Sequence, residues 1–316
     1  MLLIKNILTD PFFNIAAEEY LLKESRDDIF MLYVNEPSII VGKHQNALAE
    51  VNIRLATENN IPVIRRISGG GTVYHDGGNL NFSFITNGRE GQLIDFRKYT
   101  KPIIEILQNS GIGARFEGKS DIKLNGLKIS GNAEHVYKDR VLHHGTLLIS
   151  SDLKRLAIAL EVSPDKYKDQ AIKSIRSKTT NIGDLLVPSN NKIDDIQNQI
   201  ISYLNKDQNY GTFEFSNKDI EAIKNLIYQK YDTWDWNFGY SPPYEFRNRI
   251  SIDGKKTKIQ LKVEKGIIKE VNIKGEHKFQ EYLRGIRHYY PEIHKILNAM
   301  PHLNSQDVQE LTWSFF

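Results

Sequence analysis

A chain of 316 residues with 40% hydrophobic and 26% charged content has an ordinary globular composition and room for one large domain or two smaller ones. Its 42 basic and 39 acidic residues nearly cancel, and the formal net charge of +3 does not point to a nucleic-acid partner. With no cysteine, disulfides, thiolate-bound metals and a cysteine nucleophile are excluded, so any acyl transfer must use another route.

The N-terminal MLLIKNILTD lacks the basic, apolar and small-residue regions of a secretion signal. No run approaches the roughly 18 apolar residues that would span a bilayer, so a soluble, cytoplasmic protein is expected. Asp10-Pro11 opens a helix through PFFNIAAEEYLLKES, with Asp10 as its cap and Phe13, Ala16, Ala17, Tyr20 and Leu21 on one face. IFMLYV and SIIVG follow as strands, Ala47 to Asn60 as a helix and IPVIRRI as a further strand. From Asn79 to Thr86, Leu80, Phe82 and Phe84 alternate with Asn79, Asn81 and Ser83, the period of a half-buried strand. The sequon Asn81-Phe82-Ser83 lies within that strand, where glycosylation is not expected.

Asp95 to Gly111 is expected as a helix with a glycine cap, and Arg115 to Ile149 as short strands broken at Gly118, Asn125-Gly126 and Gly131-Asn132. Asp194 to Leu204 and Ser216 to Tyr231 are further helices. After the turn-forming YSPPY of Tyr240 to Tyr244 comes a meander: RISI, an Asp253-Gly254 turn, TKIQLKV, a Lys265-Gly266 turn and IIKEVNI, followed by a helical tail. The change of texture sets a boundary near residues 240 to 246. It divides a larger mixed α/β domain over residues 1–240 from a small α+β domain over residues 246–316.

Two stretches carry chemistry. RRISGGGTVYHDGGNLNFSF, Arg65 to Phe84, sets Gly69-Gly70-Gly71 behind two arginines and before a polar cluster of His75, Asp76 and Asn79. Glycines after a strand let backbone amides approach an anion, and Arg65 and Arg66 can clamp phosphate, yet the triplet matches neither a dinucleotide-binding fingerprint nor a P-loop. The second stretch is SDIKLNGLKISGNAEHVYKDRVLHHGTLLIS. Asp121 is a candidate Mg²⁺ ligand, since that ion takes one or two carboxylates beside substrate phosphates, and Lys128 is a candidate anion contact. His143 and His144, being adjacent on a strand, point to opposite faces, which favours packing or hydrogen bonding over a shared zinc ion.

These two stretches, with HHGTLL and with IKSIRSKTTNI at Ile172 to Ile182, resemble the lipoate–protein ligase family in order and spacing. WNFGYSP at Trp236 to Pro242 and the meander beyond it resemble the accessory C-terminal domain of the bacterial ligases of this family, so the likeness covers essentially the whole chain. The resemblance implies a mixed-sheet biotin/lipoate ligase-like catalytic domain with a second, smaller α+β domain. It implies ATP and Mg²⁺ as cofactors, with lipoate activated to lipoyl-AMP and passed to a lysine of a lipoyl carrier domain. Arg66, the run Gly71-Thr72-Val73-Tyr74 and Lys128 are then expected at the adenylate, with Lys128 as the catalytic group also reaching the lipoyl carboxyl, and with Asn79, His75 and His144 beside them. Asp121 is expected on Mg²⁺, Lys173, Arg176 and Lys178 on phosphate, and the acyl slot near Val73 and Tyr74. The expected partners are lipoyl domains of 2-oxoacid dehydrogenase E2 subunits and the glycine cleavage H protein, approached by a monomer.

Gly118-Lys119-Ser120-Asp121 stands where the family usually has Gly-Arg-Asn-Asp, which removes a planar amide and a bidentate fork. This keeps open a transferase that takes preformed lipoyl-AMP or needs an activating partner. A non-catalytic lipoate or carrier sensor on the same scaffold is the alternative of another class. The lysines of the meander alternate with Ile259, Leu261 and Val263, the pattern of a half-buried sheet rather than of a nucleic-acid surface.

Overall fold

A computed structural model of the chain describes residues 1–88, 93–186, 192–206, 210–252, 255–274, 279–301 and 303–316. Its strands in chain order are β1 (Leu2–Lys5), β2 (Ile29–Val34), β3 (Ser38–Val41), β4 (Val63–Arg65), β5 (Val73–His75), β6 (Asn79–Asn87), β7 (Arg115–Glu117) and β8 (Asp121–Leu124). There follow β9 (Leu127–Tyr137), β10 (Arg140–Leu148), β11 (Tyr167–Asp169), β12 (Gly211–Thr212), β13 (Tyr244–Ile252), β14 (Lys255–Glu264) and β15 (Ile267–Ile273). Among the described residues they form an eight-stranded sheet ordered β12-β1-β2-β6-β10-β9-β8-β7, a three-stranded sheet β4-β3-β5 and a four-stranded sheet β11-β13-β14-β15. The large sheet is mixed: β1 runs parallel to β2 and β12, and the rest pair antiparallel. No helix among the described residues is long and apolar enough to cross a membrane.

The continuous apolar run of β2 has a direct cause. Phe30 and Leu32 face a core closed by the helices Phe96–Asn109 and Lys192–Asn205, while Ile29, Met31 and Tyr33 face a second core under the helix Pro11–Glu24. The large sheet is therefore buried on both sides, which also corrects the expectation of a half-buried β6. Leu80, Phe82 and Phe84 lie in the first core as expected, but Asn79, Asn81 and Ser83 are only 0 to 2% exposed. They face the helix and the small sheet, and form a polar layer inside the molecule.

Asp10 caps the helix Pro11–Glu24 by accepting from the Phe12 amide, as its sequence predicts. The helix expected from Ala47 to Asn60 is instead two short pieces, Ala47–Glu50 and Ile53–Glu58, because Asn52 breaks the first and caps the second through the Leu55 amide. Gly131-Asn132 does not break a strand but lies within the eleven residues of β9. The Lys265-Gly266 turn joins β14 to β15 with both residues at positive φ (50° and 70°), as a two-residue hairpin requires. The Asp253-Gly254 turn lies outside the described residues.

The C-terminal sheet is completed from upstream in the chain. β11 pairs with β13 in the register Tyr167↔Phe246, and Leu48 and Ala49 join the core of Phe246, Leu261, Val263 and Trp313. At the seam sits Arg65, whose guanidinium donates to the carbonyls of Gly42, Lys43, Gln45, Trp236 and Asn237 and to the Ser241 hydroxyl. Its backbone is held as well, by Asn237 Oδ1 on the amide and Trp236 Nε1 on the carbonyl. The motif WNFGYSP is thus a cage for one buried arginine. Arg65→Met should lower the free energy of unfolding in urea by about 3 kcal/mol or more, because several buried acceptors lose their donor together. A loss below about 1 kcal/mol would show that the seam does not depend on it.

Candidate active site

Arg66 and Arg65 are neighbours that face opposite ways. Whereas Arg65 is spent on the seam, and so is not a phosphate clamp, Arg66 turns under the glycine triplet. Its Nη2 donates to the carbonyls of Gly69 (2.6 Å) and Gly71 (2.7 Å), Nη1 to Ile40 O and Nε to Ser68 Oγ. Burial pulls this guanidinium down to about 10, so it stays charged at neutral pH. Arg66 therefore shapes the glycine turn from below. Four of its five N–H donors are used in this way, one of the two on Nη1 being left over.

Behind it runs a buried relay. Ser68 Oγ meets His144 Nε2 at 2.6 Å, and His144 Nδ1 meets Glu18 Oε2 at 2.8 Å. The other Glu18 oxygen accepts from Tyr33 and Ser83. Burial would raise the Glu18 carboxyl, but His144, Ser83 and Tyr33 around it hold it below the ordinary carboxylate value. His143 points the other way, onto Glu134 at 2.8 Å and against the ring of Tyr99, as alternation along the strand predicts. Among the described residues no group of three His, Asp or Glu side chains could hold a metal ion.

The turn is covered from above by the segment of Ile172 to Ile182. A Cβ at Gly71 would lie 2.9 Å from Ser174 Oγ, so a side chain there would push Ser174 off the turn. Ser174 Oγ accepts from the Thr72 amide and from Gln45 Nε2, both at 3.0 Å, while Gln45 Oε1 accepts from the Gly42 amide and the Thr72 hydroxyl. Glu50 receives the Ser174 amide, Arg176 approaches Glu50, and Lys173 pairs with Asp169 at 2.6 Å. Lys178 is exposed. Gln45, Ser174 and Glu50 thus form a latch that the sequence did not disclose.

The same segment then reaches Lys128. The amide of Lys128 donates to Lys178 O, the Thr180 amide donates to Lys128 O, and Thr179 bridges to Lys128. The Lys128 ammonium bonds Asp121 Oδ1 at 2.8 Å, both side chains remaining about a quarter exposed (24% and 21%). A Cβ on Gly131 would come within 2.9 Å of Lys128 Cε and Nζ, so that glycine clears the path of the lysine. The turn lies above the same strand, since a Cβ on Gly70 would be 3.8 Å from the Ala133 methyl. The covering segment and β9 thus link the turn of Arg66, Gly71 and Thr72 with the pair of Asp121 and Lys128.

The remaining candidates divide. Val73 and His75 share one face of β5, the side of Tyr33, Ile40 and Ile67, whereas Tyr74 packs on the other with Ile39 and Val41. Asn79 donates to Asn81 Oδ1, and its own Oδ1 has no partner among the described residues. Asp76 is structural, accepting the amides of Gly78 and Asp152. Glu18 was discernible in principle, as part of a charged pair inside the apolar run IAAEEYLL. Gln45, Ser174 and Ser68 carried no such local signal.

A family model of the lipoyl protein ligase A/B catalytic domain matches residues 10–205. Lipoate–protein ligase 1 of Staphylococcus aureus is 41% identical over 273 residues, 86% of this chain and 83% of that protein. Lipoate-protein ligase LplJ of Bacillus subtilis is 38% identical over 282 residues, 87% of this chain and 85% of that protein. Among solved structures, a putative lipoate protein ligase from T. acidophilum with bound lipoic acid superposes with a TM-score of 0.64 at 26% identity, covering 75% of this chain and 98% of its own. Lipoate-protein ligase A bound with ATP gives 0.64 at 25% identity, over 76% and 100%. With the fold and the ordered site motifs in agreement, the chain belongs to the lipoate–protein ligase family.

Proposed function

We propose that this enzyme carries out both halves of ATP-dependent lipoate ligation. In the first, a lipoate carboxylate oxygen attacks the α-phosphorus of ATP, giving lipoyl-AMP and pyrophosphate. In the second, a lysine amine of a lipoyl carrier domain attacks the acyl carbon and AMP leaves with the bridging oxygen. The observation that carries this reading is the Lys128 ammonium, 2.8 Å from Asp121 and tied by its backbone to the segment that covers the glycine turn. A carboxylate meeting a polyanion needs cations and backbone donors at the point of approach, and Lys128 with the Thr72 amide supplies both kinds. The second step uses an anhydride that is already activated, so the absence of cysteine is no obstacle.

The residues present fit Mg²⁺ as a partner of ATP. Asp121 offers one carboxylate, and Mg²⁺ commonly takes one or two together with substrate phosphates. Bound there, the ion would offset phosphate charge, and the oxygen of Asp121 would exchange its lysine for it. The acyl chain is assigned to the Val73 face of β5, between the small sheet and the polar layer of β6. Lipoyl domains of E2 subunits and the H protein are the proposed acceptors. The transferase-only alternative keeps the same site without the first step.

The purified protein given ATP, Mg²⁺ and lipoate without carrier should release pyrophosphate, and Lys128→Ala should reduce that rate by about 10²-fold or more. Carrier modification from supplied lipoyl-AMP, without pyrophosphate release, would establish the transferase instead.

The latch supplies a second expectation. Ser174 Oγ occupies the Thr72 amide that the adenylate is proposed to use, so the site opens only at the expense of that bond. Ser174→Ala should lower KM for ATP about fivefold, the equivalent of one ordinary hydrogen bond, with kcat changed less. A raised KM would mean that Ser174 helps hold the ligand.

A further inference from the structure

One nitrogen of His75 is not used in the chemistry above. The ring is buried, its Nδ1 lies 3.0 Å from Asn35 Nδ2, and its Nε2 has no hydrogen-bond partner among the described residues. The direction of the Asn35 bond can be derived from the far end of a chain of amides. Asn14 Nδ2 is aimed at the carbonyls of Leu8 (2.9 Å) and Val34 (3.4 Å), which can only accept. The same Asn14 nitrogen lies 2.9 Å from Asn35 Oδ1, so Asn35 accepts there and turns its own NH₂ toward the histidine. His75 Nδ1 is then the acceptor, and the proton of the neutral ring is on Nε2. Burial, reinforced by Arg66 and His144 nearby, holds the ring near 3, so it is neutral at physiological pH.

A buried N–H without an acceptor is rare in folded proteins and calls for an explanation. This one is on the Val73 side of β5, within the electrostatic reach of Arg66 and His144, which frame the glycine turn. We propose that Asn35 and His75 form a fixed donor relay: Asn35 holds the imidazole in its Nε2–H form, and that N–H donates to the acyl oxygen of the acid substrate and of its adenylate. The proposal rests on the adenylation reading above. His75 touches the substrate in this scheme, whereas Asn35 is a positioning residue acting through it.

The choice of the acyl oxygen follows from charge. Phosphate oxygens carry full negative charge and already have Lys128, Arg66 and the turn amides nearby. An acyl carbonyl is neutral until an amine adds to its carbon, and a neutral, pre-oriented N–H stabilises the charge that develops then. With one carboxylate oxygen bonded to His75, the other is left to form the bond to phosphorus. No proton needs to leave the imidazole in either half-reaction.

The test pairs NMR of histidine-labelled wild-type protein with two variants. Long-range ¹H–¹⁵N spectra should show His75 as the Nε2–H tautomer, unchanged from pH 6 to 8, and its Nε2 proton should move downfield when lipoate and ATP are added. His75→Leu should slow acyl transfer from supplied lipoyl-AMP about 10²-fold, the usual effect of removing one such donor, and His75→Gln, which keeps an N–H nearby, should recover most of that loss. Asn35→Ala should mix the two tautomers. An Nδ1–H ring in the wild type, a His75→Leu enzyme as fast as wild type, or a His75→Gln enzyme as slow as His75→Leu would overturn the relay. If His75→Leu does not fold, the tautomer and the ligand-induced shift decide alone. Wild-type protein that releases no pyrophosphate would refute the adenylation reading itself, whereas normal release with an unresponsive His75 proton would refute only the relay.

Discussion

The guanidinium of Arg66, bonded beneath the carbonyls of Gly69 and Gly71, is the constraint on which the rest of the site depends. A charge buried without water is costly unless the protein replaces its hydration. Here the replacement comes from three backbone carbonyls and the Ser68 hydroxyl, with the Glu18 carboxylate reached through Ser68 and His144. Turning carbonyls down to the arginine leaves the other side of the turn, including the Thr72 amide, to face the covering segment. The glycine triplet is thus shaped from below by a cation and closed from above by a hydroxyl. Gly70 is set by its positive φ of 84°, and a Cβ on Gly71 would meet Ser174, whereas one on Gly69 would meet nothing within 4 Å.

The covering segment links parts of the enzyme that the chain order keeps apart. At one end β11 is an edge strand of the C-terminal sheet, and at the other Thr179 and Thr180 lie against Lys128. Between them Ser174 rests on the glycine turn, held by Gln45 and Glu50. Arg65 secures the same neighbourhood from the seam side through Gly42, Lys43 and Gln45. Two adjacent arginines therefore do separate work, one fastening the C-terminal unit and one forming the floor of the site.

Part of the candidate site was legible in the sequence through local rules, while the roles given to Arg66, Gly71 and Lys128 came from the family resemblance. A glycine run after a strand, a lysine after an Asn-Gly turn and two histidines on alternate faces each follow from backbone geometry over a few residues. What was not legible depends on pairing across the chain. Ser174 meets Gln45 over a separation of 129 residues, and neither sits in a distinctive local pattern. The equivalence suggested for Arg65 and Arg66 failed because consecutive residues in an extended segment face opposite sides. The half-buried reading of β6 failed because alternation reports only that its two faces differ. It cannot tell water from a buried polar layer, and Asn79, Asn81 and Ser83 belong to the latter.

Attack of the lipoate carboxylate on the α-phosphorus of ATP, the step that the whole arrangement is proposed to serve, leaves a trace that oxygen labelling can follow. Lipoate carrying ¹⁸O in both carboxyl positions is turned over to lipoylated carrier with ATP and Mg²⁺, and the nucleotide product is weighed by mass spectrometry. The account predicts AMP containing one ¹⁸O, the bridging oxygen of the mixed anhydride. Unlabelled AMP, or ADP formed with label in inorganic phosphate, would contradict it.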